Sequence, residues 1–163
     1  MKLKKKALLY DISNLAFIIA ETYAVPQKSC PYVCITDICE EGNRDRVARM
    51  LGLAYSIVVD TLRPILDMPP LSLCHDFSKD VKDYPLKFAD SPQGSSLTDA
   101  ARLHIIETVR EFMVTMVMAD WLSIVYPPAA SIWKEKALAL KNALAQAAKT
   151  GSPAAFSRYI PPL

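Results

Sequence analysis

Between residues 112 and 119 every side chain is apolar except Thr115. A helix that is apolar on all sides has no face to offer water, so other parts of the protein must surround it. The run belongs to a longer periodic segment in which Leu103, Ile106, Val109, Met113 and Val117 recur at three- and four-residue steps. Thr98 supplies an N-cap hydroxyl, which predicts a helix from Asp99 to Val125. Tyr126-Pro127-Pro128 ends it, because a proline disfavours helix in the residue before it. A central helix of this kind implies an all-α fold, a compact helical bundle of about four to five helices.

The other periodic segments are suited to wrap that centre. Over residues 2–24, Leu8, Ile12, Leu15, Ile19 and Tyr23 mark a buried face, while Lys4, Asp11, Asn14 and Glu21 fall opposite. Pro26 stops this helix. Asn43 is placed to cap a helix starting at Arg44. Apolar spacing then continues through Val47, Leu51, Val58, Leu62 and Leu66, and Gly52 predicts a break. In the last helix Trp133, Ala137, Leu140, Leu144 and Ala147 share a face, and Thr150-Gly151 closes it.

Residues 67–98 differ from the rest. Met68-Pro69-Pro70, Tyr84-Pro85 and Ser91-Pro92-Gln93-Gly94 are turn signals. Leu86 and Phe88 alternate with polar neighbours, so this irregular arm holds either a short strand or a β-hairpin. A structureless stretch of this length is usually functional or makes contacts with a neighbour. The expected organisation is one helical domain over residues 1–150, including the arm, and an extended C-terminal tail over residues 151–163. A chain of 163 residues can bury enough surface to need no disulfide or metal.

Several kinds of chemistry are excluded at the level of motifs. The four glycines, at positions 42, 52, 94 and 151, form neither a phosphate loop nor a dinucleotide fingerprint, which need clustered glycines for close backbone approach. No serine lies between two glycines as in a nucleophile elbow, and no H-E-x-x-H helix is present. The two histidines are His75 and His104, and His104 sits beside the Leu103 stripe as a helix-flank residue. The acidic pairs Asp80/Asp83 and Glu40/Glu41 lie in polar surroundings and suit solvated surface charge. No catalytic residue and no cofactor is expected. The net charge of +2 is too small to argue for nucleic acid or an anionic surface. The lysines at positions 2, 4, 5 and 6 precede an apolar stretch, but Asp11, Ser13 and Asn14 interrupt it before a leader would be complete. No run reaches the ~20 apolar residues of a membrane span.

Cys30, Cys34, Cys39 and Cys74 leave two readings. Four thiolates, or three with His75, could complete a tetrahedral zinc site. The spacing C-x3-C-x4-C is not the paired knuckle of zinc modules, and Val33, Ile35 and Ile38 surround Cys34 and Cys39. Buried cysteine is common in cores, so packing is the favoured reading.

Residues 44–63, R-D-R-V-A-R-M-L-G-L-A-Y-S-I-V-V-D-T-L-R, resemble the helix-turn-helix of bacterial and phage repressors. The resemblance implies close packing at Ala48, a turn at Gly52 and core positions at Val58 and Leu62. It would present Arg44, Arg46, Arg49, Tyr55, Ser56 and Arg63 to DNA. Asp60 and Val59 share the outward face of the second helix, where base readers usually carry Arg, Lys, Asn or Gln.

The tail carries Phe156, Tyr159, Ile160 and Leu163 among prolines, which lower the entropy lost when an extended segment docks. Together with E-F-M-V-T-M-V-M-A-D-W-L-S-I-V-Y-P-P-A-A-S-I-W-K-E-K at residues 111–136, it is similar to small helical proteins of bacteriophage and prophage origin. Head-completion and head–tail adaptor proteins share this design of helical core, irregular arm and docking terminus. The resemblance implies a non-enzymatic homo-oligomer in a virion or bacterial cytoplasm, with no membrane contact. Its partners would be its own copies and a portal or tail protein, and its subunit contacts would fall on Phe156, Tyr159, Ile160, Leu163, Leu86 and Phe88. DNA binding through residues 44–63, as a regulator or small packaging subunit, is the alternative reading. Metal analysis of purified protein separates the two cysteine readings: packing predicts no bound zinc, and one zinc per chain would establish the metal site.

Overall fold

The computed structural model describes residues 1–23, 33–68, 81–89 and 97–150. Along the chain these form β1 (Lys2–Lys4), α1 (Lys5–Tyr23), α2 (Val33–Thr36), α3 (Arg44–Thr61), β2 (Asp83–Pro85), α4 (Asp99–Val125) and α5 (Pro127–Thr150). Tight 3-10 turns at Asp37–Cys39, Glu41–Asn43 and Arg63–Ile65 join α2 to α3 and close α3. The architecture is a helical bundle with one small antiparallel sheet.

Helix α4 fills the centre, as its sequence requires. Phe112, Met113, Val114 and Thr115 are buried at four successive positions, and so are Val117, Met118 and Ala119. At 100° per residue such a run covers the whole circumference, so neighbours enclose the helix on every side. The Thr98 hydroxyl accepts from the Ala101 amide at 3.2 Å and caps the helix as expected. Thr115 is fully enclosed, and its hydroxyl has no hydrogen-bond partner among the described residues.

Helix α5 folds back on α4 after the single residue Tyr126. Its first two positions are Pro127 and Pro128, where a missing amide hydrogen is harmless and the fixed φ suits a helix start. Ala137, Leu140, Leu144 and Ala147 are buried against the centre. Helix α1 runs parallel to α4: Asp11 meets Arg110, and further along both helices Tyr23 packs on Tyr126 with ring centroids 5.2 Å apart.

Three expectations need correction. The first helix begins at Lys5, because Lys2–Lys4 form a strand. Lys2 pairs with Pro85, Leu3 with Tyr84 and Lys4 with Asp83. This pairing spans some eighty residues of sequence, and helical spacing carries no trace of it. The described part of the arm holds the short strand β2, one of the two forms expected of it, but forms no hairpin of its own. Its residues 82–86 bond to the start of the chain, and its residues 87–89 bond to residues 65–67 through Asp67 N–H to Lys87 O (2.8 Å) and Ala89 N–H to Ile65 O (3.0 Å).

The third correction concerns Gly52. Helix α3 passes through it without interruption from Arg44 to Thr61. A mid-helix glycine costs only about 1 kcal/mol. Burial of Val47, Leu51, Ala54, Tyr55, Val58 and Val59 along the same helix outweighs that penalty. The helix does begin at Arg44, but Asn43 makes no cap hydrogen bond. Its side-chain Nδ2 donates instead to Asp37 O at 2.9 Å, because the preceding 3-10 turn already leads into the helix.

The enclosure of α4 predicts opposite signs for two substitutions measured by chemical denaturation. Phe112→Ala lowers stability by about 3–5 kcal/mol through loss of buried surface and an unfilled cavity. Thr115→Val raises stability by about 1 kcal/mol, because it removes a hydroxyl that is desolvated without a partner.

Candidate interaction surface

The polar side chains that converge from different elements join those elements together. Arg110 on α4 forks onto Asp11 on α1, with Nε–Oδ2 at 2.7 Å and Nη2–Oδ1 at 2.9 Å. The hydrogen bond to Asp11 holds the Arg110 guanidinium above its usual pKa. Arg46 on α3 donates through Nε and Nη2 to one oxygen of Asp120 on α4, at 2.9 and 2.7 Å. The Trp121 indole donates to Ile35 O at 3.1 Å and ties α4 to α2. The Tyr55 hydroxyl donates to Pro85 O at 2.6 Å and ties α3 to β2.

These bonds relocate several residues expected to face DNA. Arg46 is engaged by Asp120, and Tyr55 is buried with its ring tilted against Tyr84 at 5.1 Å. Ser56 donates back to Gly52 O within the helix at 3.0 Å. Arg44, Arg49 and Arg63 lie exposed on α3 and the turn after it. With α3 unbroken, the turn that would set a recognition helix at an angle to its partner is not formed.

The other expected residues fall into separate places. Leu86, expected at a subunit contact, is fully enclosed in this chain's own core, and Phe88 is half-buried against that core. Phe156, Tyr159, Ile160 and Leu163 lie outside the described residues, as do Cys30, Cys74 and His75. Cys34 falls on α2 and Cys39 on the 3-10 turn that follows. Among the described residues no group of three His, Cys, Asp or Glu side chains gathers as a metal site. His104 is half-buried on α4, and its backbone oxygen accepts from the Thr108 hydroxyl at 2.9 Å.

What the periodicity missed is a second face of α1. The helix buries Leu8, Ile12, Ala16, Ile19 and Ala20. On its outer side Tyr10 is 71% exposed, Phe17 50% and Ile18 49%. Tyr10 and Phe17 are seven residues apart, two turns along the same side of the helix. Ala7, Asn14 and Glu21 continue that line with alternating steps of three and four, and all three are exposed. The stripe was legible in the spacing, but the polar residues between its aromatics masked it. Lys6 is exposed at the N-terminal end of the same side.

No family model, curated protein or solved structure matches the chain. Among the described residues no helix is long and apolar enough to cross a membrane.

The buried Tyr55 offers a pH test of the α3–β2 tie. Burial pushes its hydroxyl above the ordinary value of 10.0, because the phenolate would lose its hydration. The stabilisation from the neutral hydroxyl is therefore present below pH ~10 and is lost as the pH rises through the shifted value. Absorbance titration should show Tyr55 contributing a component that ionises above the ordinary tyrosine value. In Tyr55→Phe that late component should vanish, with a stability loss at neutral pH of about 0.5–1.5 kcal/mol.

Proposed function

We propose that this chain is a structural assembly protein that works as a homo-oligomer, of the head-completion or head–tail adaptor type it resembles. The observation that carries the proposal is the outward face of α1. Tyr10, Phe17 and Ile18 stand exposed on one rigid helix whose opposite side is anchored in the core. Single exposed apolar residues are common on protein surfaces, but aligned aromatics on a regular element suit contact with another protein.

The internal tethers support the same reading. Arg110–Asp11 and Tyr23–Tyr126 hold α1 against the central hairpin near its middle and at its end. A helix fixed in this way presents its outer side chains with little conformational freedom to lose on association. Contacts through the arm and tail, and with a portal or tail protein, belong to this proposal as further interfaces of the assembled particle. Repeated copies around a closed symmetry would each use the same surfaces.

Native mass spectrometry and negative-stain imaging of the full chain test the proposal. The expected outcome is a discrete multiple of 18.1 kDa, present as closed particles or as a concentration-dependent population. A monomer that persists across the accessible concentration range overturns it.

A further inference from the structure

We infer that α1 pairs antiparallel with α1 of a second copy, about a two-fold axis beside Asn14. This inference rests on the assembly reading and names its interface. Ala7, Tyr10, Asn14, Phe17 and Glu21 alternate at three and four residues, the spacing of a seam between two helices. The stripe is about 22 Å long, at 1.5 Å per residue.

The residues on this stripe are arranged to complement themselves when reversed. Tyr10 and Phe17 lie equally far from the Ser13–Asn14 midpoint, and so do Lys6 and Glu21. An antiparallel copy therefore sets Tyr10 against Phe17 of the partner subunit and Lys6 against Glu21 of the partner subunit. Each contact occurs twice, as a two-fold interface requires. Asn14 meets Asn14 of the partner subunit near the axis, where a polar residue in an apolar seam fixes register.

The charge layout of α1 points to the same partner. Its first turn has no acidic residue and its last turn no basic one. Lys6 instead stands exposed at its positive end, and Glu21 lies near its negative end. Helix α4, packed alongside, runs in the same direction, so its dipole does not oppose that of α1. A reversed copy brings its negative end and its Glu21 to Lys6, and its Lys6 to Glu21. The chain's own charge pattern is thus unfavourable for an isolated helix and favourable for an antiparallel pair.

The contact is modest in size. The three large apolar groups remove roughly 300 Å² per copy, against about 800 Å² per partner in a standard stable interface. The pairing is accordingly concentration-dependent, and a larger particle needs further contacts.

Analytical ultracentrifugation of the full chain tests the pairing with four variants on exposed positions. Phe17→Glu should abolish the dimer. Lys6→Glu and Glu21→Lys should each weaken it by roughly tenfold, because each change acts at two symmetric contacts. The double variant Lys6→Glu/Glu21→Lys should restore it. Unchanged helical circular dichroism and melting would show that the fold is intact. With Tyr10 replaced by the photo-crosslinker p-benzoylphenylalanine, a product of twice the chain mass should join position 10 to the region of Phe17. An oligomer that ignores all four variants overturns the α1 pairing and leaves the assembly reading standing, and a double variant that stays weak overturns the antiparallel register. A cross-link confined to one chain and ending in residues 151–163 overturns the pairing by assigning the face to the chain's own tail. A wild-type chain that is monomeric at every concentration, with no intrachain cross-link, overturns both readings.

Discussion

The need to enclose α4 governs this structure. A 27-residue helix whose middle is apolar on all sides is unfavourable in water, and it becomes stable only when other elements cover it. Helix α5 covers one side as the second arm of a tight hairpin. Helices α1 and α3 cover others, and each is located by an arginine–carboxylate pair to α4 rather than by apolar contact alone. Apolar packing supplies most of the stability but is nondirectional. The ion pairs and the Trp121–Ile35 bond add direction, so they select one angular arrangement of the covering helices. Thr115, with its unpartnered hydroxyl, is the one polar side chain in the 112–119 run, and the surrounding packing tolerates it.

Much of this frame was legible in the residues. The limits of α4 and α5 follow from Thr98, Tyr126 and the Pro127-Pro128 step, because caps and prolines act over a few residues. Most of the buried sides of α1 and α5 follow from three-and-four spacing, through Leu8, Ile12 and Ile19 and through Ala137, Leu140, Leu144 and Ala147. Tyr23 at the end of α1 is exposed instead. Features set by distant partners were not legible in this way. Lys2–Lys4 is a strand only because Asp83–Pro85 lies beside it. Asn43 turns away from its expected cap because Asp37 O is within reach.

Gly52 shows why a local signal can fail. Its propensity argues for a break, and the resemblance to a helix-turn-helix strengthened that expectation. The penalty is small beside the burial of Leu51, Ala54, Tyr55 and Val58 on an unbroken helix. Tyr55 illustrates the same limit at the level of function. From sequence it was a candidate DNA contact; in the fold it is a core residue that reaches Pro85. The outward face of α1 was missed for the opposite reason. Asn14 and Glu21 made the stripe look like ordinary solvated surface, although Tyr10 and Phe17 lie on the same line.

The small sheet has a consequence for the order in which the chain can acquire its structure. Its bonds join residues separated by as many as 85 positions, and residues 81–89 serve both the start of the chain and the stretch after α3. During synthesis the first strand emerges long before its partner exists. The partner is itself made before α4, the helix around which everything packs. Such non-local contacts raise contact order and slow folding relative to a bundle joined only by hairpins. The opening residues and α1 must therefore wait with apolar side chains uncovered while the rest is made, an interval in which a nascent chain is exposed to misassociation.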